Sequence, residues 1–107
     1  MNILLAAKPC RHPAPQLSTD ESSTLLMTLP HWKRDGGGIV RNFKFPDHYQ
    51  LMAFLNALAW VAHRANHHPE VSYGFNQCCV RFISHDVGGL SENDFICAAK
   101  VDILVSL

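Results

Sequence analysis

The chain has 107 residues, 48% of them hydrophobic, with nine basic and nine acidic side chains and a formal net charge of zero. That composition supports one domain around one core, and the lack of a basic excess argues against electrostatic capture of nucleic acid. No apolar run approaches the ~20 residues of a membrane span, the apolar start over residues 1–7 lacks the basic front of a secretory signal, and Cys10, Cys78, Cys79 and Cys97 show no CxxC spacing, so a reduced, cytoplasmic protein is expected.

Residues 1–17 carry Pro9, Pro13 and Pro15 without periodicity, which predicts an irregular arm ahead of a single domain over residues 18–107. Cys10 and His12 lie in that arm, two metal-ligand types with no partners nearby in sequence. A helix is predicted from about Thr19 to Leu29. Ser18 or Thr19 can cap it, Asp20 and Glu21 suit the positive end of its dipole, Leu25, Leu26 and Leu29 form a stripe, and Pro30 stops it. Asp35-Gly36-Gly37-Gly38 reads as a turn that takes positive φ. It opens a hairpin whose strand Ile39 to Phe45 alternates with a period of two, Arg41 standing out of the pattern.

Asp47, after Pro46, caps the longest predicted helix, from about Asp47 to Ala65. Leu51, Phe54, Leu55, Leu58, Val61 and Ala62 recur at helical spacing as its core face. The opposite side, with Met52, Ala53, Asn56, Ala57, Trp60 and His63, is too apolar for a free surface helix. It points either to contact between subunits or to a larger intrachain core. A second hairpin runs from Val71–Phe75 through Asn76-Gln77 into Cys78–Ser84, with Cys78 and Cys79 on opposite faces. Ser91 caps the last helix, and Ser91-Glu92-Asn93-Asp94 resembles a capping box with aspartate in the glutamate position. Phe95, Ile96, Ala98, Ala99, Ile103 and Leu104 cover its inner side. The order helix, hairpin, helix, hairpin, helix predicts an α+β fold, a four-stranded antiparallel sheet with three helices on one face.

Two polar segments interrupt this pattern, Asn66-His67-His68-Pro69-Glu70 and Ser84-His85-Asp86-Val87-Gly88-Gly89. Histidine exchanges protons readily near neutrality. Two such rings flanking one substrate position can serve as acid and base in a single elimination, typically worth about 10²–10⁴-fold. The rings of His67 and His68 diverge at a helix end, so one faces the reacting atom and the other positions the substrate. His85 is the candidate second proton carrier, and Asp94 can fix a polar ring by accepting its N–H. Plainer roles compete with these. His12, His31 and His48 read as surface histidines, Asp94 as a helix cap, and Trp32 as a core residue, although it also suits the wall of a pocket for a flat heterocycle. His63 and His67, with His68 or His85, make a weaker zinc set that lacks the glutamate of an HExxH site.

Those two segments, with the continuation Leu90-Ser91-Glu92-Asn93-Asp94-Phe95, resemble the signature of the pterin-4a-carbinolamine dehydratases. The likeness extends through Trp32, Phe43-Lys44-Phe45 and the long helix, over about residues 20 to 104. It implies dehydration of 4a-hydroxytetrahydropterin, the product of aromatic amino acid hydroxylases, to quinonoid dihydropterin, with no metal or cofactor. It also implies that His67 and His85 transfer protons and His68 holds the pterin. Pro69, Ser84, Asp86 and Val87 would line the pocket, Asp94 would orient the site, and the protein would assemble as a homodimer or homotetramer. The same fold also serves as a protein-binding cofactor of a transcription factor, which is the non-catalytic alternative. Two positions depart from the family pattern. His63 stands where many members carry an acidic residue, and Val71 where many carry tryptophan. Loss of a carboxylate beside His67 is expected to alter its ionisation.

Overall fold

The computed structural model describes residues 1–106. Gly36 and Gly37, both at positive φ, turn strand β1 (Lys33–Asp35) into β2 (Gly38–Lys44). Residues 74–76 join β3 (Glu70–Tyr73) to β4 (Gln77–Phe82). All neighbouring strands are antiparallel in the order β1-β2-β4-β3, so the two hairpins meet along β2 and β4. The register Ile39↔Phe82, Arg41↔Val80, Phe43↔Cys78 puts these side chains on one face, and all but Arg41 are buried there. This is the α+β sheet that the sequence predicts, with strand ends shifted by one or two residues.

Helix α2 (Thr19–Met27) begins with a complete capping box: Ser18 Oγ accepts from the Glu21 amide at 3.1 Å, and Glu21 accepts from the Ser18 amide at 2.8 Å. It ends before Leu29, which follows in a tightened turn and is fully buried. Asp47 caps α3 (His48–Ala65) by accepting from the Gln50 amide at 2.8 Å. Leu51, Phe54, Leu58 and Ala62 form its buried stripe.

The last helix, α4 (Glu92–Ser106), is buried on every side through residues 93–99. A helix apolar all round needs cover all round. The sheet, α2 and α3 supply part of it. The rest comes from the N-terminal segment, where α1 (Ile3–Ala6) packs Leu5 and Ala6 against α4. The arm expected to be irregular therefore contains one helical turn, capped by Asn2. The Arg11 amide donates to Asn93 Oδ1 at 3.1 Å, Asn93 Nδ2 donates to the Arg11 carbonyl at 2.8 Å, and Lys8 pairs with Glu92 at 2.8 Å, so the arm is fastened along its length.

Arg41, out of pattern in sequence, faces the core because Asp102 of α4 receives it. Its Nη1 donates to Asp102 Oδ1 at 2.5 Å, and Trp32 Nε1 donates to the same oxygen at 2.8 Å. Trp32 is buried, 5.9 Å from the ring of Phe82 and 6.4 Å from that of Phe43. Removing a buried partner strands the other charge. Asp102→Ala is expected to cost about 3 kcal/mol in urea unfolding, whereas Asp20→Ala on the exposed start of α2 should change stability by less than about 0.5 kcal/mol. Equal effects of the two substitutions would show that the Asp102 cluster adds nothing.

Candidate functional site

Asn66, left-handed at φ 50°, ends α3 and reverses the chain, while the His67 amide still bonds the Ala62 carbonyl at 3.2 Å. The His67 ring then lies nearly parallel to Phe82, at 12° and 6.0 Å between centroids. Its Nε2 donates to Asp94 Oδ1 at 2.6 Å. Asp94 is fully buried. Its other oxygen accepts from Ser84 Oγ at 2.8 Å and from the Ser91 amide at 2.9 Å. Since Ser84 spends its proton on Asp94, the Ser91 hydroxyl, 2.7 Å away, donates to Ser84. The expected capping box is thus half made: Asp94 reaches back to the Ser91 amide, but the Ser91 hydroxyl is diverted to Ser84.

Two opposing effects set the ionisation of His67. Burial disfavours the imidazolium, but the Asp94 hydrogen bond and charge, helped by Cys10 and Asp86, outweigh it and hold the ring above its ordinary 6.5. The negative partner of His67 is therefore Asp94. His63 is exposed, stacks on Trp60 at 5.7 Å, and is not among the groups that shift His67, so the acidic residue missing at position 63 does not leave His67 without one.

Beyond Ser84 the chain makes a single 3₁₀ turn, His85–Val87, with Gly88 at φ 69° closing the loop onto the Ser84–Gly89 bonds. His85 is exposed, and its Nε2 lies 3.3 Å from Glu70 Oε1. Glu70 also accepts from Arg81 Nη1 at 3.1 Å, across the register pair Glu70↔Arg81. His67 and His85 accordingly occupy one corner, where α3 passes into β3 and β4 passes into α4. Asp86 is exposed and Val87 half-buried on the same turn. His68 and Pro69 line an apolar hollow of about 480 Å³ with Leu55, Leu58, Val71 and Tyr73. Trp32 is not brought to this corner. Its ring is core and its N–H is spent on Asp102, which corrects its expected place as a pocket wall. Among the described residues no three His, Cys, Asp or Glu side chains are grouped as metal ligands.

Some neighbours were not visible in the sequence. Ser91 and Glu70 join the cluster through the packing of α4 and the β3–β4 register. His12, read as a surface histidine, comes over from the arm to 6.5 Å from the His67 ring, its Nε2 3.1 Å from the Ala65 carbonyl. Nothing in local sequence signals that approach.

The family model described as pterin 4 alpha carbinolamine dehydratase matches residues 15–104. A provisionally named pterin-4-alpha-carbinolamine dehydratase of Nitrosospira multiformis is 48% identical over 100 residues, 94% of this chain and 88% of the relative. Another so named, from Stenotrophomonas maltophilia, is 55% identical over 82 residues, covering 75% of this chain and 71% of the relative. Among solved structures, a transcriptional coactivator/pterin dehydratase from Brucella melitensis superposes with a TM-score of 0.80 at 28% identity, covering 83% of this chain and 97% of its own. A pterin dehydratase-like protein identified as a RuBisCO assembly factor in the alpha-carboxysome gives 0.57 at 26% identity, over 68% and 84% of the respective chains.

Because the folded His67 titrates above its unfolded value, its stabilisation is complete below about pH 6.5 and is lost as pH rises through the raised value. The gap between the urea midpoints of the wild type and Asp94→Asn should be widest near about pH 5.5 and shrink towards about pH 8.5. A gap independent of pH would mean that the two side chains do not share the proton.

Proposed function

The chain belongs to the pterin 4 alpha carbinolamine dehydratase family, and on that premise we propose that it dehydrates 4a-hydroxytetrahydropterin to quinonoid dihydropterin with His67 and His85 as the proton carriers. The observation that carries this reading is the His67–Asp94 bond, 2.6 Å long with a fully buried carboxylate. The elimination expels hydroxide from C4a and removes a proton from a ring nitrogen. Hydroxide is a poor leaving group until it is protonated, so the reaction needs an acid at C4a and a base at nitrogen. With Nε2 tied to Asp94, Nδ1 of His67 is the ring nitrogen left for the substrate. An imidazolium held by Asp94 can give up that proton to the departing oxygen. His85, across the same corner and beside Glu70, is the matching base. His68 and Pro69 would position the flat ring, and Ser84, Asp86 and Val87 would border it. No metal or cofactor enters this scheme. It would serve recycling of the tetrahydropterin consumed by an aromatic amino acid hydroxylase, in the cytoplasm.

A protein-binding role, alone or as assembly into a homodimer or homotetramer, is favoured by a separate observation. The outer edge of β3 has no partner strand among the described residues, and Val71, Tyr73 and Phe75 are exposed on it or just beyond its end. Such an edge with apolar side chains is suited to pairing with another chain.

Two measurements test these readings. Replacing His67 or His85 singly with alanine should lower kcat/KM for 4a-hydroxytetrahydropterin by about 10²-fold or more, with folding retained. Full rates in both variants would remove the catalytic assignment. Val71→Asp with Tyr73→Asp should convert the assembled protein to monomers in light scattering without changing its circular dichroism; an unchanged mass would place the interface elsewhere.

A further inference from the structure

The two cysteines that flank the back of the His67 site have no part in the proposed reaction. Cys10, in the arm, and Cys97, on α4, have their sulfurs 3.7 Å apart, in van der Waals contact across 87 positions of sequence. Cys97 is fully buried, whereas Cys10 is half-buried and forms part of the wall of an open hollow of about 510 Å³. Lys8, Arg64 and Lys100 line the same hollow. A small oxidant in solution therefore meets Cys10 first and reaches Cys97 only through it.

We propose that Cys10 and Cys97 are a peroxide-modified dithiol, closing to a disulfide that fastens the N-terminal arm to α4 behind His67. The surroundings suit this order of events. The Cys97 thiol donates to Cys10, and despite the opposing effect of burial, the positive fields of His67, Lys100 and His12 help bring the Cys10 thiol down to about 7. The same contact, with burial, pushes Cys97 up and keeps it protonated. Cys78 is a contrast, since burial raises it to about 11. In the first step the Cys10 thiolate attacks one peroxide oxygen. An S–O bond forms, the O–O bond breaks, and the released hydroxide takes a proton from solvent to leave as water. In the second, the Cys97 sulfur gives up its proton and attacks the Cys10 sulfenic acid. The S–S bond forms, the S–O bond breaks, and hydroxide leaves with that proton as water. Two thiols and one hydrogen peroxide thus become one disulfide and two waters, and two equivalents of a small thiol reverse it. The disulfide would fix Arg11 and His12 where they already touch Asn93 and Ala65. The family match begins at residue 15, after Cys10, so this device does not rest on the dehydratase reading.

The test uses the full chain, exposed to stoichiometric hydrogen peroxide near neutral pH, then alkylated, unfolded and mapped without reductant. The expected product has lost two hydrogens and joins the Cys10 peptide to the Cys97 peptide. Cys97→Ala should instead hold Cys10 as a sulfenic acid that a 1,3-dione traps, and Cys10→Ser should leave Cys97 a free thiol. In the native protein at neutral pH, alkylation of Cys10 should outpace that of Cys79 by about tenfold or more, a result that needs no variant to fold. Peroxide that leaves Cys10 and Cys97 unlinked, links another pair, or carries Cys10 to the sulfinic acid in the wild type overturns the proposal.

Discussion

A carboxylate with no exposure cannot stay charged unless its oxygens are answered, and Asp94 is answered by His67, Ser84 and the Ser91 amide. Those donors come from the end of α3, the end of β4 and the start of α4. One buried charge therefore sets where three elements meet, and the first turn of α4 favours it further through the helix dipole. The group that organises the corner is also the one that does most to raise the His67 ring above its ordinary value. Structure and proposed chemistry are consequently hard to separate at Asp94, and easier to separate at His85, which is exposed and bound only from its edge.

Along α4 a second buried carboxylate follows about two turns later, and the contrast is informative. Asp102 is answered by Arg41 and the Trp32 N–H. Neither partner changes its charge in the physiological range, so that cluster is a fixed fastening of α4 to the sheet. Asp94 is instead paired with a histidine, the side chain whose unperturbed pKa lies nearest neutrality. The helix thus uses the same residue type twice, once with a partner of fixed charge and once with a partner that can titrate.

Much of this was legible in the sequence because the signals were local. Asp47, Ser18 and Pro30 marked helix ends, the Gly36-Gly37 turn marked a hairpin, and the paired histidines marked an unusual helix exit. The remainder depended on contacts between distant residues. Ile3–Ala6 is too short to display a helical period, and its reason for existing is the uncovered side of α4. Arg41 broke the strand alternation because its partner lies 61 residues on. Trp32 suited a pocket by its chemistry and was claimed by the core instead. His63 drew attention as a departure from a family pattern, yet the negative charge next to His67 is supplied by Asp94, 27 residues later.

The proposed hold of Asp94 on His67 as a proton donor can be read from a titration of the His67 ring nitrogens by NMR in the wild type and in Asp94→Asn. A midpoint above 6.5 is expected in the wild type and a lower one in the variant, where only the charges of Cys10 and Asp86 still oppose burial. The same midpoint in both proteins would contradict it.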